Sequence, residues 1–66
     1  MEQMNNEYYI GKTGTYTQEN ELKFHGTIKF YSFGNCLIFQ PDGWRENTGF
    51  RLRGDSSKWA KNITLD

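Results

Sequence analysis

The sequence predicts a mostly-β domain: a small five-stranded antiparallel sheet, curled or closed into a barrel, with one short helical turn near the C-terminus. Three observations predict it. Alanine occurs once, at Ala60, and leucine four times, while threonine, tyrosine, phenylalanine and glycine are plentiful, a balance that suits pleated surfaces better than helices. Apolar and polar residues alternate with period two through Leu22–Gln40, as on a strand with one buried face. Turn-forming clusters punctuate the chain at Gln18-Glu19-Asn20-Glu21, Gly34-Asn35, Pro41-Asp42-Gly43 and Asn47-Thr48-Gly49.

Taken in order, residues 1–7 are polar and unpatterned and read as a flexible N-terminus, leaving 8–66 as a single β domain. Tyr8–Thr17 reads as a bent first strand, with Gly11 and Gly14 where it curves or where another backbone comes close. Leu22–Phe33 and Cys36–Gln40 flank Gly34-Asn35, the signal of a two-residue hairpin turn. That register pairs Phe33 with Cys36, Tyr31 with Ile38 and Phe30 with Phe39. One face then collects Leu22, Phe24, Ile28, Phe30, Leu37 and Phe39 as core. The other collects Lys23, His25, Thr27, Lys29, Tyr31 and Phe33, beside Cys36, Ile38 and Gln40. Trp44-Arg45-Glu46 reads as a short strand, and Phe50–Arg53 as another with both arginines outward. Asp55-Ser56-Ser57 caps a helical turn through Lys61, and Asn62–Leu65 closes the sheet. The expected size is that of an SH3-like or OB-like barrel, and closure would remove the exposed edges of so small a sheet.

Sixty-six residues bury only about 60% of the surface their unfolded chain exposes. The hydrophobic fraction is 35%, so a few large aromatics must carry the core, each burying roughly 150–250 Å². A homodimer is another way to complete that burial. Formal net charge is zero, which argues against a dedicated duplex binder. The charge is uneven: residues 1–43 hold three basic side chains against five acidic, and residues 44–66 five against three. Cys36 is the only cysteine, which excludes a framework of intrachain disulfides. No apolar run suggests a signal peptide or a membrane span, so the expected location is cytoplasmic, with no membrane partner.

Motifs that name a chemistry are thin. Gly11-Lys12-Thr13 echoes the end of a phosphate-binding loop, but Asn6 stands where the upstream glycine is required. Arg53-Gly54-Asp55 and Asn62-Ile63-Thr64 have meaning only outside the cell and read as a turn and a strand. His25 is the only histidine. It shares a face with Cys36 but is too far along the strands for a nucleophilic pair. One Cys and one His cannot complete a zinc site. No enzyme, cofactor or metal is therefore expected.

The face that mixes cations with aromatics remains. The stretch Gly26-Thr27-Ile28-Lys29-Phe30-Tyr31 resembles the opening strand of cold-shock domains, which place a similar run on a nucleic-acid-binding sheet. The resemblance spans six of 66 residues. That family's lysine–glycine–aromatic continuation is replaced here by Ser32-Phe33-Gly34-Asn35-Cys36, and the chain is not assigned to it. Two functions compete. The first is a small protein-binding module or inhibitor, of the kind phage or bacterial accessory proteins supply, with Tyr31, Phe33, Trp44 and Arg51 as anchors and Arg53 at the rim. The alternative is a single-stranded nucleic-acid binder using Lys23, Lys29, Tyr31, Phe33 and Arg53. Against both stands a purely structural expectation: Trp59 and the first strand lie over Tyr31, Phe33 and Ile38 and bury them.

Overall fold

The computed structural model describes residues 6–66. Its five strands are β1 (Thr13–Thr17), β2 (Lys23–Tyr31), β3 (Cys36–Pro41), β4 (Phe50–Leu52) and β5 (Ile63–Leu65). They form one antiparallel sheet in the order β4-β3-β2-β1-β5. The sheet is open, with β4 and β5 as its edges, so of the two expected forms it is the open sheet and not the closed barrel that is adopted. Between β4 and β5 runs a short helix α1 (Ser56–Trp59), continued by a 3₁₀ turn at Ala60–Asn62. Asp55 caps it as expected, accepting a hydrogen bond from the Ser57 amide at 2.9 Å.

The first strand is shorter than Tyr8–Thr17. Asn6–Tyr9 is a 3₁₀ turn, and a second turn follows, in which the Lys12 amide donates to the Tyr9 carbonyl at 3.0 Å. Gly11 sits in it at φ +89°, where only glycine is unstrained. The Gly11 amide donates to the Ile28 carbonyl, and the Ile28 amide to the Lys12 carbonyl. Two residues of one strand thus oppose one of its partner, a β-bulge led by a left-handed glycine. Gly11 and Lys12 of the Gly-Lys-Thr run form this bulge, and Thr13 opens the regular ladder opposite Thr27. Asn6 and Glu7, expected in the flexible terminus, belong to the first turn. Asn6 donates to the Gly54 carbonyl at 3.2 Å and accepts from the Ser56 amide at 3.0 Å, tying the start of the domain to the start of α1. The rest of that expected terminus, residues 1–5, lies outside the described residues.

The β2–β3 hairpin forms, but in another register. Tyr31 pairs with Cys36, Phe30 with Leu37 and Ile28 with Phe39, so Ser32–Asn35 make a four-residue loop in place of a two-residue turn. Asn35 still adopts positive φ, at 51°. The slip is two residues, and side chains repeat every two, so each residue keeps its expected face while its neighbour across the ladder changes. Trp44-Arg45-Glu46 is not a strand. It lies in two consecutive turns, closed by Trp44 N–H to the Pro41 carbonyl and Thr48 N–H to the Arg45 carbonyl.

The core is Ile28, Leu37, Phe39, Leu52 and Trp59. Tyr16 packs on Phe39 and Phe50 with ring centroids 5.5 and 5.1 Å apart, and Tyr9 meets Trp59 edge-on at 5.0 Å. Leu22 and Phe30, expected in this core, are 54% and 50% exposed. Each stands near an end of β2, Leu22 just before it and Phe30 one residue from its close. Phe30 instead borders a cleft of about 650 Å³, shared with Ile10, Leu37 and Leu52.

Candidate interaction surface

The face of the sheet opposite the core carries most of the charged and hydroxylic side chains. Cross-strand register sets its rows. Lys29 is opposite Ile38 and Ile38 opposite Arg51, so these three span β2, β3 and β4. Tyr31 and Cys36 form the next row toward the hairpin tip. Arg53, one residue beyond Leu52, continues the alternation of β4.

Within this patch the Arg51 guanidinium lies over the Tyr31 ring, 5.1 Å from its centroid, an arrangement favoured by the negative face of the ring. The Tyr31 ring in turn sits 5.7 Å from that of Phe33. Phe33 is 81% exposed. Ile38 is buried outside the main core, flanked in its row by Lys29 and Arg51, whose alkyl stems can shield it while their charges stay in water. Among the described residues, no carboxylate pairs with Lys29, Arg51 or Arg53. Trp59 packs in the core on the other face, so it does not cover Tyr31 and Phe33 as the structural expectation required.

The expected site residues therefore divide. Lys29, Tyr31, Phe33 and Arg51 come together, with Arg53 adjoining. Trp44 does not join them: it packs against Phe24 and Phe50 at 6.0 and 5.5 Å, among the rings of the core face. Lys23 shares the patch's face but pairs with Thr17 at the far end of β2, six positions from Lys29, roughly 20 Å at ~3.3 Å per residue. Cys36 is opposite Tyr31, so a similar distance separates it from His25.

A second cluster lies at that far end and escaped the sequence reading. His25 Nδ1 is 2.6 Å from Asp42 Oδ2, and its Nε2 is 2.8 Å from Asp66 Oδ2. Thr13 donates its hydroxyl to the same Asp66 oxygen at 2.8 Å. The Asp42 carboxylate beside the ring, and then Asp66, raise the His25 pKa above its ordinary value. The hydrogen bonds from His25 and Thr13 lower that of Asp66. The signal for half of this was present: extending the true hairpin register one pair past Gly26 and Pro41 puts Asp42 beside His25. The two-residue slip concealed it.

Among the described residues, no group of three or more His, Cys, Asp or Glu side chains is arranged to hold a metal ion. Among the same residues, no helix is long and apolar enough to cross a membrane. Compared with family models, curated proteins and solved structures, the chain gives no match.

Proposed function

We propose that this chain is a non-catalytic protein-binding module, or an inhibitor of its partner, that docks an acidic protein surface through the tip of the β2–β3 hairpin. One observation carries the proposal: Phe33 stands 81% exposed beside a tyrosine already capped by an arginine. A fully buried phenylalanine gains about 1.5–3 kcal/mol over an exposed one. Folding of this chain leaves most of that gain unrealised, and an apolar pocket on a partner would recover it. Aromatic and arginine side chains of this kind are the usual anchors of interfaces. Lys29, Arg51 and Arg53, without carboxylate partners, give the rim a positive sign and hence select an acidic surface. We place the protein in the cytoplasm, where a lone thiol such as Cys36 stays reduced.

The same group of two rings and three cations also supports single-stranded nucleic acid as the partner, with bases stacked on Tyr31 and Phe33. A pull-down from lysate, with and without nuclease, separates the two readings. We expect a protein partner that survives nuclease and is lost with Phe33→Ala, while the thermal midpoint of that variant stays within a few degrees of the parent. Recovery abolished by nuclease, with affinity falling steeply in salt, would transfer the surface to nucleic acid. Capture undiminished in Phe33→Ala and Tyr31→Ala would remove this surface from the binding function.

A further inference from the structure

The imidazole of His25 is held at both nitrogens by carboxylate oxygens, Asp42 on one side and Asp66 on the other. A neutral imidazole carries one N–H and can donate to only one of them; an imidazolium donates to both. In the neutral ring, the second nitrogen would turn a lone pair toward a carboxylate at hydrogen-bond distance. The arrangement is complete only with the proton on. We propose that Asp42, His25 and Asp66 form a pH-operated latch that fastens edge strand β5 to the sheet, closed with a protonated imidazole and released when it becomes neutral.

What the latch joins gives it its effect. His25 belongs to central strand β2, Asp42 follows the end of β3, and Asp66 follows β5. β5 has three residues and a single neighbour, β1. Its attachment continues in the Asp66 amide, which donates to the Thr13 carbonyl at 3.0 Å, and in the Thr13 hydroxyl on the Asp66 carboxylate. The other side chains around the ring on this face are Thr15 across on β1, Thr64 beyond it on β5, Gln40 on β3, and Thr27 and Lys23 along β2. Lys23 is the one further charge among them, and it opposes protonation against two carboxylates that favour it.

The sign follows from linkage. The pKa of His25 is raised on folding, so its contribution is full below the ordinary value of 6.5 and disappears as pH rises through the folded value. The pKa of Asp66 is lowered below 3.8, so its contribution is full above 3.8 and disappears only as pH falls through its own folded value. The latch is closed between those limits and opens on the alkaline side of 6.5. An ordinary exposed ion pair contributes little, and the local attachment of β5, more than global stability, is where the effect should be read.

The test is an NMR titration of the intact chain from mildly acidic to mildly alkaline pH. It follows the His25 ring and the exchange of backbone amides, corrected for intrinsic rate. We expect a His25 midpoint above 6.5, with protection of the Asp66 amide falling several-fold across it while the amides of Ile28 and Phe39 hold. His25→Gln should lose this pH step, and Asp42→Asn should move the midpoint down toward 6.5. A midpoint at or below 6.5 in the parent chain, which needs no variant to fold, would overturn the proposal. So would an unchanged pH step in His25→Gln.

Discussion

Gly14 and Gly26 face each other across β1 and β2, and neither has room for a side chain. A Cβ on Gly14 would run into the Thr64 carbonyl and come within 2.9 Å of Leu65 Cα. On Gly26 it would run into the Gln40 carbonyl and within 2.7 Å of Pro41 Cα. These contacts are with backbone, which cannot rotate aside as a side chain can. Gly11 differs: its space is open, with nothing within 4 Å of the added Cβ, and only its φ of +89° resists substitution. Gly11→Ala should thus cost about 1–2 kcal/mol, the penalty of left-handed backbone. Gly26→Ala should cost about 1–3 kcal/mol or more from overpacking and should shift strand pairing visibly. Urea unfolding of the two variants, with amide chemical shifts, distinguishes a conformational penalty from a steric one.

Among the elements, α1 is the least able to stand alone. A helix of one turn has no independent stability, so it depends on what holds its ends. Asp55 caps the start, and Asn6 bonds both Gly54 and Ser56. Asn6→Ala removes two hydrogen bonds at about 1 kcal/mol each. We expect it to lower stability by about 2 kcal/mol and to speed exchange in α1 and β5 more than in β2 and β3. Local chemistry made much of this level legible in the sequence: the Asp-Ser-Ser cap, the β2–β3 hairpin, and the apolar–basic alternation that places Leu52 inward and Arg51 outward. What escaped was set by distant residues. The hairpin took a four-residue loop although Gly34-Asn35 fits a two-residue one, so the local turn signal alone did not fix the register. Trp44 is expected among the aromatic anchors with Tyr31 and Phe33, yet it packs on the rings of Phe24 and Phe50, which belong to other segments, β2 and β4. In the Asp42–His25–Asp66 cluster, only the Asp42 half lies within reach of the hairpin register, while Asp66 comes from a distant segment that no local pattern ties to His25.

At the scale of the whole molecule, five buried side chains centred on Phe39 and Ile28 hold the sheet to α1. A single core of this size rarely supplies more than about 3–5 kcal/mol, and truncating a buried phenylalanine costs about 3–5 kcal/mol. Phe39→Ala should therefore be largely unfolded at 25 °C by circular dichroism, whereas Phe33→Ala should fold as the parent does. The open sheet also leaves two edges, each only three residues long, and one carries Arg51. Short and charged edges resist unwanted pairing with other chains, which is how so small a sheet can do without closing into a barrel.

The loop Ser32–Asn35 has a bearing on how this protein can change over generations. Because β3 is held in register by β2 on one side and β4 on the other, adding or removing residues in that loop leaves Leu37 and Phe39 pointing inward. Odd changes are taken up in the same way as even ones, since hairpin loops of three, four and five residues all join strands in regular register. The tip that carries Phe33 can accordingly be lengthened or shortened while the sheet behind it keeps its register, so a lineage can vary this exposed tip without rebuilding its core.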